Sequence, residues 1–208
     1  MDFNFEQTII QALNNSVNND NALRKQAEET IHQAEKTPGY ASALLKISAN
    51  KSLQGQYQID INHAASIQFG KLVEIHWKFK SVEHAQKICN GLDFIILDEN
   101  DKQFVREQLL GAIFEQIQNK PIVKQYIRSL KMICVQDFPD KLPNLVSQIM
   151  GYLRGQNTLS IYTGLHGLFA LAARYEFELD EDRQPLFEII KESFDILGSL
   201  VNDMINNI

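Results

Sequence analysis

Ile61-Asn62-His63-Ala64-Ala65-Ser66-Ile67-Gln68-Phe69-Gly70-Lys71-Leu72-Val73-Glu74-Ile75-His76-Trp77-Lys78-Phe79 reads as a helix. Ile61, Ala65, Phe69, Leu72 and His76 recur at helical spacing and form one stripe. The small pair Ala64-Ala65 lets a neighbouring backbone approach closely. Trp77, the chain's one tryptophan, stands between His76 and Lys78 at the far end. The stretch looks like the inner helix of a helical hairpin, and the rest of the chain repeats that pattern in varied form.

Toward the N-terminus, Phe5, Ile9, Ala12 and Leu13 share a face in a first helix ending near Val17. Asp20 is placed to cap a second helix by accepting a bond from a free backbone N–H. That helix carries Leu23, Ala27, Thr30, Ile31 and Ala34, and Thr37-Pro38-Gly39 closes it. A third helix runs from Tyr40 to Ala49. A polar loop from Asn50 to Gln58, with Gly55, leads to the helix quoted above, expected from about Ile59 to Lys78.

Toward the C-terminus, Ser81 to Gly91 reads as a short helix. Leu92-Asp93-Phe94-Ile95-Ile96-Leu97 reads as helix end and loop, since a lone strand there would have nothing to pair with. Asp98-Glu99-Asn100-Asp101 signals a helix start, with acidic groups near the positive end of the helix dipole. Leu110, Ile113, Phe114 and Ile117 follow in register. Pro121 suits a first helical turn because its missing N–H is not needed there. Val123, Tyr126, Ile127, Leu130, Ile133 and Cys134 then form a broad core-facing stripe. Leu142, Leu145, Val146, Ile149, Tyr152 and Leu153 repeat its offsets, and Ile161, Leu165, Leu168 and Ala172 continue. A last helix from Gln184 carries Phe187, Ile190, Phe194, Leu197, Val201 and Met204.

Strand signals are almost absent, so the fold class is all-α. Helix pairs begin near residues 5, 40, 100 and 142, and a spacing of roughly 40 residues per pair matches helical repeats. The spacing is irregular, which a non-repetitive bundle would also give; repeats are the better reading. The expected units are 3–36, 38–79, 99–136 and 141–176, with the first helix of a further repeat at 184–208. An end repeat needs a polar face, so the apolar Ile205 and Ile208 suggest a chain cut from something longer.

The 208 residues are 44% hydrophobic with a formal charge of −6, a mean hydropathy of −0.23 and a pI near 5.4. This balance argues against a nucleic-acid role, which shows a basic face or tail. Cys89 and Cys134 lack the spacing of a zinc site or disulfide framework and read as reduced, buried thiols. The N-terminus has no secretory leader pattern, so the sequons at Asn14 and Asn50 are chance matches. The longest apolar run, Leu165 to Ala173, is too short to span a bilayer. These features describe an intracellular protein that binds neither membrane nor nucleic acid.

Catalytic motifs are missing: there is no phosphate loop, no dinucleotide fingerprint, no zinc-protease helix and no nucleophile elbow. His32, His63, His76, His84 and His166 never fall at i, i+3 or i+4, the spacing that puts two metal ligands on one helical face. Glu28-Glu29 and Asp180-Glu181-Asp182 read as a solvated face and a solvated loop. Neither an enzyme nor a cofactor or metal site is expected. Trp77 reads first as a core anchor, with an interface aromatic as the alternative. Lys71, Glu74 and Lys78 line one edge beside it.

Two stretches together resemble the importin-beta superfamily of nuclear transport receptors, in its N-terminal domain. Ala64 to Trp77 is similar to the family's second-repeat inner helix, with an Ala-rich start and a closing Trp. Asp137-Phe138-Pro139-Asp140-Lys141-Leu142-Pro143 is similar to the family's Asp-Tyr/Phe-Pro-x-x-Trp-Pro junction. Gly164-Leu165, Arg174-Tyr175-Glu176-Phe177 and Asp182-Arg183-Gln184-Pro185-Leu186 look most like the importin-seven/eight subgroup, with the cellular-apoptosis-susceptibility exporter next. The sequence departs from the pattern twice. Gly70-Lys71 stands where the family usually has Lys-Asn, so no family Lys contact carries to Gly70. A helical glycine costs ~1 kcal/mol relative to alanine, and the sequence shows no compensation. Leu142 replaces the junction tryptophan, keeping an apolar plug without the indole N–H.

The resemblance implies a right-handed superhelix of HEAT-type hairpins whose inner helices bind the GTP-bound small GTPase Ran. It further implies cargo proteins on more distal surfaces, phenylalanine-glycine nucleoporins between outer helices, cargo release on Ran-GTP binding, and shuttling between cytoplasm and nucleus. The residues chosen for a Ran-facing surface, by helix face rather than by motif, are Arg24 and Glu28, then Lys71, Glu74 and Lys78, then Lys124 and Arg128. A helical-repeat scaffold without GTPase binding is the alternative from another class, and an exporter is the alternative within the family.

Overall fold

A computed structural model describes residues 3–53, 57, 60–89 and 94–206, the side chains of 3, 203 and 204 excepted. The expected loop around Gly55, a helix start at Ile59, the positions Gly91, Leu92 and Asp93, the Met204 side chain and Ile208 lie outside the described residues. The described residues are helical or irregular, with no strand among them, as the missing alternation predicts. They fall into two compact units, Met1–Ser129 and Leu130–Ile208.

The first unit holds α1 (Phe3–Asn15), α2 (Asn21–Ala34), α3 (Tyr40–Ala49), α4 (Ile61–His76), α5 (Val82–Cys89), α6 (Glu99–Gln116) and the start of α7 (Lys120–Asp137). α1 packs on α2, while α3 packs on α4, α6 and α1. Asp20 caps α2, accepting from the Ala22 N–H at 2.8 Å. On α4, Ile61, Ala65, Phe69 and Leu72 are buried as the stripe requires; His76 is half-buried. Trp77 is buried in the core and not at an interface, with Lys102 Nζ and the Arg106 guanidinium each 5.5 Å from its ring centre.

α3 sits at the centre, with eight of its ten residues buried. A helix buried on nearly every side has termini that water cannot satisfy, and other helices supply what is missing. At its N-terminus Gly39 takes a left-handed conformation, φ 95°, and offers no capping side chain. The buried Asp101 carboxylate reaches over from α6 instead. It accepts from the Gly39 N–H at 2.7 Å, the Ser42 N–H at 3.2 Å and the Ser42 hydroxyl. Asp101 therefore does more than lend a charge to its own helix; Asp98 is the residue that caps α6.

Lys102, the next residue, is equally buried. Its ammonium donates to the carbonyls of Trp77 and Phe79, both at 2.9 Å, at the end of α4. One acid and one base, adjacent in sequence, thus meet the positive end of α3 and the negative end of α4, each complementing the dipole it faces. This places the start of α3 beside the end of α4, so the two helices are antiparallel. At the opposite end, Asn62 Nδ2 donates to the carbonyls of Ile47 at 2.9 Å and Asn50 at 2.7 Å. Gln116 Nε2 donates to Ser48 at 3.2 Å and Ala49 at 3.0 Å. Tyr126 donates its hydroxyl to Ser48 Oγ at 2.6 Å, and burial keeps that phenol protonated by pushing its pKa above the usual range.

Residues 94–98 are irregular, in line with the loop expected there. Phe94 packs edge-on against Phe79 at 6.1 Å, and the Ile95 N–H donates to His76 Nδ1 at 3.3 Å. Cys89 is half-buried rather than buried.

The second unit holds the end of α7, α8 (Leu145–Leu153), α9 (Thr158–Ala172) and α10 (Gln184–Asn206). α8 starts at Leu145, three residues later than its stripe suggests, because Leu142 is buried as a plug in the preceding turn. Phe138 of the same junction lies edge-on to Tyr175 at 6.4 Å. Burial, with Asp137 adding to it, pushes the Cys134 thiol up to about 12, leaving it inert at neutral pH. The stripes on α9 and α10 are where the core expectation fails. On α9, Leu165 and Ala172 are exposed and Ile161 and Leu168 half-buried. On α10, Phe187, Ile190, Phe194 and Val201 are exposed, Phe194 at 70%, while Ile189 and Ser193 are buried. α10 packs on α8 through a different face, and its apolar stripe borders an open cleft of about 310 Å³ with α9.

The cross-capping sets a stability expectation. Asp101→Ala leaves two buried backbone donors and the Ser42 hydroxyl without their acceptor, and unfolding in urea should show a loss of about 2–4 kcal/mol. Asp60→Ala removes an exposed cap that accepts from the His63 N–H at 3.0 Å, and should cost about 1 kcal/mol. Equal losses would mean that Asp101 is no more than a local cap.

Candidate partner-binding face

α4 and α7 run side by side in the same direction: positions 69 and 70 of α4 face 126 and 125 of α7, and position 74 faces 128. Phe69 meets Tyr126 edge-on, ring centres 6.2 Å apart. A Cβ at Gly70 would stand 2.9 Å from Gln125 Oε1. One turn on, Glu74 Oε1 accepts from Arg128 Nη2 at 2.5 Å. α4 passes close to α7 at that point, but the one atom within 3 Å of such a Cβ is the end of the flexible Gln125 side chain.

This register brings four of the seven expected residues onto facing ridges. Lys71 and Glu74 are exposed on α4, and Lys124 and Arg128 on α7. Lys71 and Lys124 make no ion pair among the described residues. The side chains of Arg128 and Glu74 are 60% and 43% exposed, so their pair is worth no more than about 1 kcal/mol. Lys78, just past the end of α4, is half-buried, with Nζ 5.3 Å from the Phe79 ring centre.

The α2 pair is placed differently. Glu28 is exposed. Arg24 is half-buried and engaged locally: its guanidinium donates to the carbonyls of Asn18 at 2.7 Å and Asn19 at 3.1 Å, clamping the α1–α2 turn. Lys120 was not among the expected residues, yet it is exposed and precedes Lys124 by four. The row Lys120, Lys124, Arg128 at i, i+4, i+8 is legible in the sequence beside the apolar stripe of α7. Among the described residues no group of His, Cys, Asp and Glu could hold a metal ion, and no helix is long and apolar enough to cross a membrane.

Residues 27–115, from within α2 to within α6, match the importin-beta N-terminal domain. The chain belongs to the importin-beta superfamily. It is 30% identical over 184 residues to an importin beta-like SAD2 homolog of Arabidopsis thaliana, an alignment covering 88% of this chain and 16% of that protein. It is 29% identical over 199 residues to importin-8 of Danio rerio, covering 96% and 18%. It is 24% identical over 191 residues to a probable importin-7 homolog of Dictyostelium discoideum, covering 90% and 16%. The chain thus spans less than a fifth of the length of these relatives, and its likeness is of the importin-seven/eight kind. The α3–α4 hairpin and its capping helix α6 lie within the matched importin-beta domain, so the α-helical pairs are of HEAT type.

Gly70 of this importin-beta domain tolerates a methyl group, because the only crowding atom is the tip of a flexible side chain. Gly70→Ala should leave stability unchanged or raise it by up to ~1 kcal/mol. At Gly164 of α9 a Cβ would meet Leu153 Cγ at 2.7 Å and its backbone nitrogen at 2.9 Å. Gly164→Ala should cost about 1–3 kcal/mol by overpacking. Urea midpoints of the two variants moving together would contradict this reading of the contacts.

His76 gives a pH expectation. Burial, and then the charge of Lys78, lower its pKa, so folding favours the neutral ring that accepts from Ile95. The unfolded ring titrates near 6.5. This stability is therefore fully present above about that pH, and is lost as pH falls from there through the lower folded value. Exchange protection of the Ile95 amide, corrected for intrinsic rate, should fall as the pH drops below about 6.5, and His76→Phe should remove that slope.

Proposed function

We propose that this chain is the Ran-binding region of a nuclear import receptor and that it has no enzymatic role. The observation that carries the proposal is the match of residues 27–115 to the importin-beta N-terminal domain, which contains the α4 ridge; α7 follows directly after the matched segment. Ran in its GTP form would lie along Arg24 and Glu28 of α2, Lys71, Glu74 and Lys78 beside α4, and Lys124 and Arg128 of α7. Of these, Arg24 is the weakest contact, because its guanidinium already holds the α1–α2 turn.

On this reading residues 1–208 form one importin N-terminal array, with repeats 3–36, 38–79, 99–136 and 141–176 and a further repeat opening at 184–208. The parent receptor binds cargo proteins in the cytoplasm and releases them in the nucleus when Ran-GTP binds. The two ligands are linked because each favours a different state of the array, so a gain in affinity for one is a loss for the other. Phenylalanine-glycine nucleoporins are the partners that carry such a receptor through the pore.

Retention of Ran loaded with GTP, and not of Ran loaded with GDP, on the immobilised chain is the expected result. Combining Lys71→Glu with Lys78→Glu should weaken that binding on the order of tenfold while leaving helicity unchanged by circular dichroism. Equal or absent retention of the two nucleotide forms would favour a scaffold without GTPase binding.

A further inference from the structure

Residues 61–79 and 120–129 carry five cations, Lys71, Lys78, Lys120, Lys124 and Arg128, and one carboxylate, Glu74, in a chain whose formal charge is −6. The cations of α7 recur at i, i+4 and i+8 on exposed positions, so they form a row rather than a scatter. A basic ridge on an acidic protein attracts anions locally while the rest of the surface repels them. The one carboxylate is not free: it is paired with Arg128 across the gap between the two helices, and both side chains remain open to solvent.

An exposed pair of this kind exchanges partners at little cost, because water and salt already screen it. Arg128 presents a planar fork that binds a carboxylate in two bonds, and here Glu74 occupies it. A partner carboxylate arriving at Arg128 meets Glu74 as a competitor and, once seated, as a like charge beside it.

We propose that the α4–α7 ridge receives a carboxylate-bearing face of a partner protein, and that Glu74 is a built-in counter-ion which the partner displaces from Arg128. Glu74 thereby attenuates binding and restricts it to partners acidic enough to displace it, a specificity device that works by repulsion. The inference rests on reading this ridge as the Ran-facing surface. Of the residues on that surface, it sets Glu74 apart as the one whose loss strengthens binding.

The test uses the 208-residue chain with two probes, Ran loaded with GTP and polyglutamate, titrated across a range of salt. Glu74→Gln should bind both probes about 2- to 5-fold more tightly at low salt, and the gain should fade as salt rises. Glu74→Asp, which keeps the charge, should stay at the wild-type affinity. In an Arg128→Gln background the gain from Glu74→Gln should shrink by half or more, as coupled neighbours require. Unchanged or weaker binding of both probes by Glu74→Gln would overturn the counter-ion role. If polyglutamate shows the gain and the wild-type chain retains no Ran-GTP, the Ran reading falls and the counter-ion role stands. If Ran-GTP binds and neither probe responds to Glu74→Gln, the Ran reading stands and the counter-ion role falls.

Discussion

The bonds that Asp101 and Lys102 send to α3 and α4 hold the first unit in its arrangement. α3 is short and almost wholly buried, which would be untenable if its terminal N–H and C=O groups had no partners. Burying an unmatched peptide group costs on the order of a few kcal/mol, and a ten-residue helix has four such groups at each end. Charge-assisted bonds from Asp101 cover the first end, and amides from Asn62 and Gln116 cover the second. Because Asp101 and Lys102 are adjacent on one helix, the start of α3 and the end of α4 cannot separate without breaking one of the two sets of bonds. The α3–α4 hairpin and α6 are locked into one register by polar groups, and the apolar stripes fill the space between.

That register reaches the surface. The end of α4 is pinned by Lys102 at the carbonyls of Trp77 and Phe79, while Tyr126 ties α7 to Ser48 of α3. Asn62 also ties α4 to the Ile47 carbonyl of α3, so α4 and α7 are both anchored to the same buried helix. Their exposed sides stand in a fixed relation, and Glu74 meets Arg128 with no large rearrangement of either backbone. A surface used for recognition gains from this kind of support, since charged groups held by a rigid frame lose less entropy when a partner arrives.

Apolar periodicity made the helices legible in the sequence, and the buried stripe of α4 follows it residue by residue through Leu72. The polar residues were harder to read. Asp101 has the look of an acid lending its charge to the first turn of its own helix, and nothing local distinguishes it from Asp98, which does so. Only the three-dimensional path of α3 shows that its partners are 62 and 59 residues away. Arg24 has the same ambiguity, since an arginine on an exposed helical face and one folded back onto a turn have the same spacing. The exposed apolar stripe on α10 shows the complementary limit: periodicity reports which residues share a face, and the packing of another element decides whether that face is buried.

The junction at 137–143 and the glycine at position 70 sharpen the same distinction. Each departs from the family pattern, and each departure keeps the volume or clearance that the site needs. Leu142 is still a buried plug without the indole, because the position requires an apolar side chain and not a hydrogen-bond donor. At Gly70 the α4 backbone runs close to the end of the Gln125 side chain, and the Glu74–Arg128 pair stands one turn later.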